Sequence, residues 1–78
     1  MKMYILLKDS IPEGFAVLAA AHASLACYLK FQDDNDTQSW VSGTFYKVIC
    51  KVNEKEVAIA FKPRNEWPKA FKFYRLYK

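Results

Sequence analysis

Seventy-eight residues that are 53% hydrophobic and 17% aromatic, with two glycines, can pack one core, which excludes a second domain and intrinsic disorder. A net charge of +4 and a pI near 9.1 permit phosphate-rich partners without demanding them, because many soluble domains carry such a charge. The excess sits in the tail, where Lys62, Arg64, Lys69, Lys72, Arg75 and Lys78 are opposed only by Glu66, whereas Asp33, Asp34 and Asp36 form an acidic knot before Trp40.

Met3-Tyr-Ile-Leu-Leu7 is an unbroken apolar run, the pattern of a central strand covered on both faces. Ser10 and Glu13 have the spacing of a capping box, and Pro12 suits a first helical turn, so a helix is expected from about Glu13 to Phe31. It is alanine-rich. Phe15, Leu18, Ala19, His22, Leu25, Ala26 and Leu29 form one stripe at helical spacing, and the other sides are also nearly free of polar groups. Gln32–Ser42 reads as a loop or short helical turn that returns Trp40 to the core. From Gly43 onward, Tyr46, Val48, Cys50 and Val52 alternate with Lys47, Ile49 and Lys51, the period of a half-buried strand. A turn at 53–56 then leads to Val57, Ile59 and Phe61, and the two runs are expected to pair directly as an antiparallel hairpin, Cys50 facing Ile59 and Val48 facing Phe61. Trp67, Ala70, Phe71 and Tyr74 recur at helical spacing, with Asn65 as the expected N-cap of a short closing helix.

Cys27 and Cys50 lie apart in apolar segments, with no Cys-x-x-Cys pair and no Cys/His cluster. Reduced, buried thiols are expected, and neither a zinc site nor any cofactor. Met1–Leu7 is too short for the apolar core of a signal peptide, and the apolar helix is shorter than the ~20 residues of a bilayer span. A cytoplasmic chain without a membrane partner is expected.

The order of these segments and several of their words resemble the second, archaeal and eukaryotic-type family of peptidyl-tRNA hydrolases. Lys8-Asp9 at the end of the first strand, Gly14, and His22-Ala23 in the helix match that family's opening block. Trp40 followed by Gly43, the run Lys47-Val-Ile-Cys-Lys51, Val57-Ala-Ile-Ala60 and the ending Arg75-Leu-Tyr77 are similar to its later segments. The resemblance implies a reduced form of that family's fold. It also implies an edited site, since Phe15 stands at the family's active-site lysine and Ala19 at its helix glutamine. Only a turn remains between Val52 and Val57, where the family carries a helix and a strand with its Asp-Ala-Gly and Thr-Gln residues. Of the implied catalytic set only His22 and Asp9 have counterparts.

Read from the residues themselves, His22 has no partner on its stripe to orient it as a general base, so a buried, hydrogen-bonded core histidine is expected. Asp9 ends the central strand, where ligand crevices open in α/β sheets, and it equally suits a turn. Ser24 lies on a different helical face from His22 and makes a poor nucleophile pair. In the basic aromatic tail, Trp67, Phe71 and Tyr74 belong to the core, leaving Lys69, Lys72, Phe73, Arg75 and Lys78 to solvent.

The expected architecture is a small α/β domain: a mixed three-stranded sheet, one long crossover helix making a right-handed parallel connection, and a short C-terminal helix. The expected function is a degenerate, non-catalytic peptidyl-tRNA-hydrolase-like module that binds tRNA or another RNA through Lys47, Lys51, Lys62, Lys72 and Arg75. The alternatives are an ester hydrolase of peptidyl-tRNA using His22 and Asp9, or an interaction or self-assembly module without RNA. A homodimer is expected, formed through Ala20, Ser24, Tyr28 or the Val57–Phe61 edge, because the helix is apolar nearly all round.

Overall fold

Met3, Ile5 and Leu7 are inaccessible to water, and Tyr4 and Leu6 nearly so, which is what an apolar run with no alternation requires of its neighbours. The computed structural model describes residues 1–53 and 58–77. Its elements in chain order are β1 (Lys2–Lys8), α1 (Glu13–Lys30), α2 (Asn35–Ser42), β2 (Tyr46–Val52), β3 (Ala58–Arg64), a 3-10 turn (Lys69–Phe73) and β4 (Arg75–Leu76). The sheet order is β3-β1-β2-β4. β1 runs parallel to β2 and antiparallel to β3, while β4 is antiparallel to β2. The domain is therefore α/β with a mixed sheet, as expected, but with four strands rather than three.

The expected hairpin does not form. Ile59 pairs with Leu6 and Phe61 with Tyr4, so β3 lies against β1 and not against β2. The same hairpin register would set Val52 against Val57, a pair that lies partly outside the described residues. The physical reason lies in β1: with both faces apolar it is best placed at the centre, and a strand on each flank satisfies its backbone groups on both sides. The expected partners no longer face one another, yet they share a side of the sheet, because β1 between them carries the same two-residue period. Tyr4, Leu6, Val48, Cys50, Val52, Ile59 and Phe61 share one side of the sheet.

That side is closed by the tail. Trp67, Phe71 and Tyr74 pack on it, with ring centroids of Tyr4–Trp67 4.7 Å, Tyr4–Phe71 5.0 Å and Phe61–Phe71 5.2 Å apart in edge-on geometry. The expected closing helix is a single 3-10 turn beginning after Pro68, and Asn65 caps nothing. A residue preceding proline is disfavoured in the α region, so Pro68 keeps Trp67 out of a helix and the turn starts after it. Its indole N–H instead donates to the Arg64 carbonyl at 3.2 Å.

On the other side, α1 and α2 cover Met3, Ile5 and Leu7. α1 occupies the expected range, yet its capping box is not used: Pro12 is the N-cap and no side chain bonds the first turn. Its orientation is the larger difference. Ala16 and Cys27 are buried and Ala19, Ala20, Ala23 and Ser24 half-buried, whereas Phe15, Leu18, His22, Leu25 and Leu29 point to water. α2 begins at Asp34, whose carboxylate accepts the Thr37 N–H at 3.1 Å and the Thr37 hydroxyl at 3.3 Å. α2 delivers Trp40, 1% exposed, into the core, where its indole N–H donates to the Tyr46 carbonyl at 2.7 Å. Cys27 and Cys50 lie on opposite sides of the sheet as free thiols, and burial pushes both thiol pKa values up.

A candidate binding groove beside α1

α1 packs on β1 and β3, which leaves the α1 side of β2 without a helix above it. The result is a groove. Ile5 and Ile49 of the sheet, with Trp40 of α2 and Phe45 of the turn before β2, form its floor, and Ala20, Ser24, Leu25 and Tyr28 of α1 form its wall, around a cavity of about 370 Å³. A second cavity of about 310 Å³ lies beside it, between Val17, Ala20, Ile49 and Tyr77. The residues expected at a dimer contact, Ala20, Ser24 and Tyr28, are thus half-buried members of this wall.

The parallel register puts Lys47 beside Met3 and Lys51 beside Leu7, so both lysines emerge on the groove side. Each lies over a ring: the Lys47 ammonium is 3.4 Å from the Phe45 ring centroid and 5.3 Å from that of Trp40, and the Lys51 ammonium is 5.2 Å from that of Tyr77. Desolvation holds the Lys47 pKa below its ordinary value. Arg75 of β4 pairs with Lys51 in register and donates to the Asp9 carboxylate at 3.1 Å.

The turn that delivers Phe45 has unusual backbone. Phe45 has φ 57°, a left-handed conformation costly for a residue with a large side chain, and its N–H donates to the Trp40 carbonyl at 3.0 Å. Gly43 is required just before it, because a Cβ there would lie 2.7 Å from the Ser39 carbonyl oxygen. This strained turn sets the Phe45 ring at the mouth of the groove, 48% exposed.

The five basic residues singled out in the sequence do not form one surface. Lys47, Lys51 and Arg75 lie on the β2–β4 half of the α1 side. Lys62 is on β3 across α1, donating to Asp34 at 3.0 Å, and that bond is the main reason the Asp34 pKa falls below its ordinary value. Lys62 also borders a wide cleft of about 850 Å³ with Lys30, Asp36, Arg64 and Trp67. Lys72 is exposed in the 3-10 turn, beyond the opposite side of the sheet.

His22 corrects the expectation of a core histidine. It is exposed on the outer side of α1 and borders a cavity with Leu18, Ala26 and Ala58 of β3. Asp9, by contrast, is tied to β4, next to β2. The two implied catalytic residues therefore face different sides of α1, and neither orients the other. Two residues that matter to these surfaces were not singled out from sequence, Phe45 and Arg64. Alternation in β2 starts after Phe45, and nothing in the local pattern signals its backbone conformation.

Among the described residues, no group of three or more His, Cys, Asp or Glu side chains is placed to hold a metal ion. No described helix is long and apolar enough to cross a membrane. No family model matches the chain, and comparison with curated proteins and with solved structures finds no match.

Proposed function

We propose that the chain is a non-catalytic, peptidyl-tRNA-hydrolase-like module that holds an RNA strand along the β2–β4 half of its sheet. The observation that carries this reading is the grouping of cations and rings there: Phe45 beside Lys47, and Tyr77 beside Lys51 and Arg75, lie on one side of one strand pair with Ile49 between the two groups. Phosphates attract the lysines, and the exposed Phe45 ring, with the half-buried Tyr77 beside Lys51, offers a stacking platform to unpaired bases, a combination suited to single-stranded RNA. Asp9, the acidic group placed with these residues, is already neutralised by Arg75.

The ester-hydrolase alternative is not favoured. A site that acts as a unit loses most of its rate when several members are missing, and His22 and Asp9 stand apart with no shared substrate position. A release assay on peptidyl-tRNA should show no turnover above background, and turnover abolished by His22→Ala would overturn the non-catalytic reading. Fluorescence anisotropy with a single-stranded RNA should show affinity falling steeply as salt rises. Lys47→Glu with Lys51→Glu should weaken binding at least tenfold, whereas Lys62→Glu, on a cation already paired with Asp34, should change it little. Affinity indifferent to salt and to the Lys47/Lys51 pair would overturn the RNA reading.

A self-association reading is favoured by a separate observation, the exposed apolar side of α1. This surface adjoins the groove at Leu25, which borders both.

A further inference from the structure

The cavity of about 370 Å³ between α1 and β2 falls in the size range of small-molecule pockets, roughly 300–1,000 Å³. Its lining is mostly carbon, from Ile5, Ala20, Leu25, Trp40, Phe45 and Ile49. Among the described residues that line it, Lys47 is the only charged one, and the Ser24 and Tyr28 hydroxyls add the remaining uncommitted polar groups. The Trp40 indole N–H is already engaged by the Tyr46 carbonyl. The neighbouring cavity of about 310 Å³ shares Ala20 and Ile49 with this one, so the apolar floor continues along β2 toward Tyr77.

The Lys47 ammonium rests on the face of Phe45, 3.4 Å from its centroid. A ring face attracts a cation but offers no lone pair to its N–H donors. The ion pairs among the described residues are Lys62–Asp34 and Arg75–Asp9, so no carboxylate there answers Lys47. Desolvation already disfavours the charged form of this lysine, and a neighbouring anion would favour it again.

We infer that the groove binds a small amphiphile, an unbranched alkyl carboxylate, with its chain between α1 and β2 and its carboxylate on the Lys47 ammonium. Charge complementarity selects this occupant. One unpaired cation at the edge of the cavity suits one anionic group. The apolar lining suits a body without hydrogen-bonding groups, since a buried polar group without a partner is costly. A nucleobase fails the second condition, and a plain hydrocarbon leaves Lys47 unanswered. A flexible chain can also follow the floor from Phe45 past Ile49.

Octanoate, octanol and octylammonium, titrated into the isotope-labelled chain and followed by amide NMR signals, separate the head group from the chain. Octanoate should bind with a Kd below about 1 mM and shift the amides of Ser24, Phe45 and Ile49. Octanol and octylammonium should bind at least tenfold more weakly. Lys47→Met, at an exposed position, should weaken octanoate at least tenfold and leave octanol unchanged. Ser24→Phe, which fills the cavity, should abolish binding of both with unchanged circular dichroism. The absence of saturable shifts up to about 10 mM octanoate would overturn the inference. Shifts centred on Leu18, His22 and Leu29 would also overturn it, because the alkyl chain would then only coat the exposed side of α1. Equal affinities for octanoate and octanol would overturn the pairing with Lys47. No RNA is present, so these outcomes are independent of RNA binding.

Discussion

On the sheet side of α1 stand Ala16, Ala20, Ala23 and Cys27, and on its outer side Phe15, Leu18, Leu25 and Leu29. Both sides are apolar, so hydrophobicity cannot have chosen between them. Size did. Met3, Ile5 and Leu7 of β1 already project their side chains toward the helix, and small residues let its backbone come close enough to touch them without a gap. The larger residues would hold the helix away from the sheet. The helix is thus anchored by its lesser apolar area, while its greater area remains available for association.

This division of α1 into an anchoring side and a free side is tested most severely beneath the helices. Trp40→Ala removes the largest fully buried side chain and the indole N–H bonded to Tyr46. It should cost about 3–5 kcal/mol, comparable with the whole stability of a small domain, so urea denaturation should find the variant mostly unfolded. Enlarging the anchoring side is the next test. Ala16→Leu places three carbons where the native side chain is 1% exposed and should cost about 1–3 kcal/mol through overpacking. On the outer side, Leu18→Ala should change the stability of the monomer by less than about 0.5 kcal/mol. Urea midpoints measured at low micromolar protein would separate the two. Equal penalties at Ala16 and Leu18 would mean that the sides had been assigned the wrong way round.

The smallest effect is a pH dependence at the edge of the same layer. The Lys62 ammonium first, then the Thr37 N–H, lowers the Asp34 pKa in the folded chain. A carboxylate whose folded pKa lies below its unfolded value of about 4 stabilises the fold above that value, and the contribution is lost as pH falls through the folded pKa. The melting temperature should therefore drop more steeply for the wild type than for Asp34→Asn as pH falls below about 4. Parallel acid profiles would show that the pairing with Lys62 contributes nothing to folding.

Much of the framework was legible because it rests on local rules. The uninterrupted Met3–Leu7 run marked a doubly covered strand, the alanine-rich segment marked α1 within one residue of its observed end, and the two-residue period assigned Val48, Cys50, Ile59 and Phe61 to one side of the sheet. Trp67, Phe71 and Tyr74 were legible as core for the same reason. The candidate groove was not. It exists because α1 sits over β1 and β3 and spares β2, and no spacing in the sequence states where a helix lies across a sheet.

The order of residues along the chain was therefore enough to place β1, α1, β2 and β3 and to say which of their strand residues share a side, since these depend on periods of 3.6 and 2; it did not show β4, and the closing helix it suggested is a 3-10 turn. It could not say which strand β3 joins, because β1 and β2 present the same alternation and differ in how much they gain from a central place. That choice was made in three dimensions. So was the buried side of α1, which depends on the distance a second layer leaves for it. The splitting of Lys47, Lys51 and Arg75 from Lys62 and Lys72 has the same origin. Charge can be counted along a chain, but its distribution over a surface is fixed only when the sheet order and the helix above it are in place.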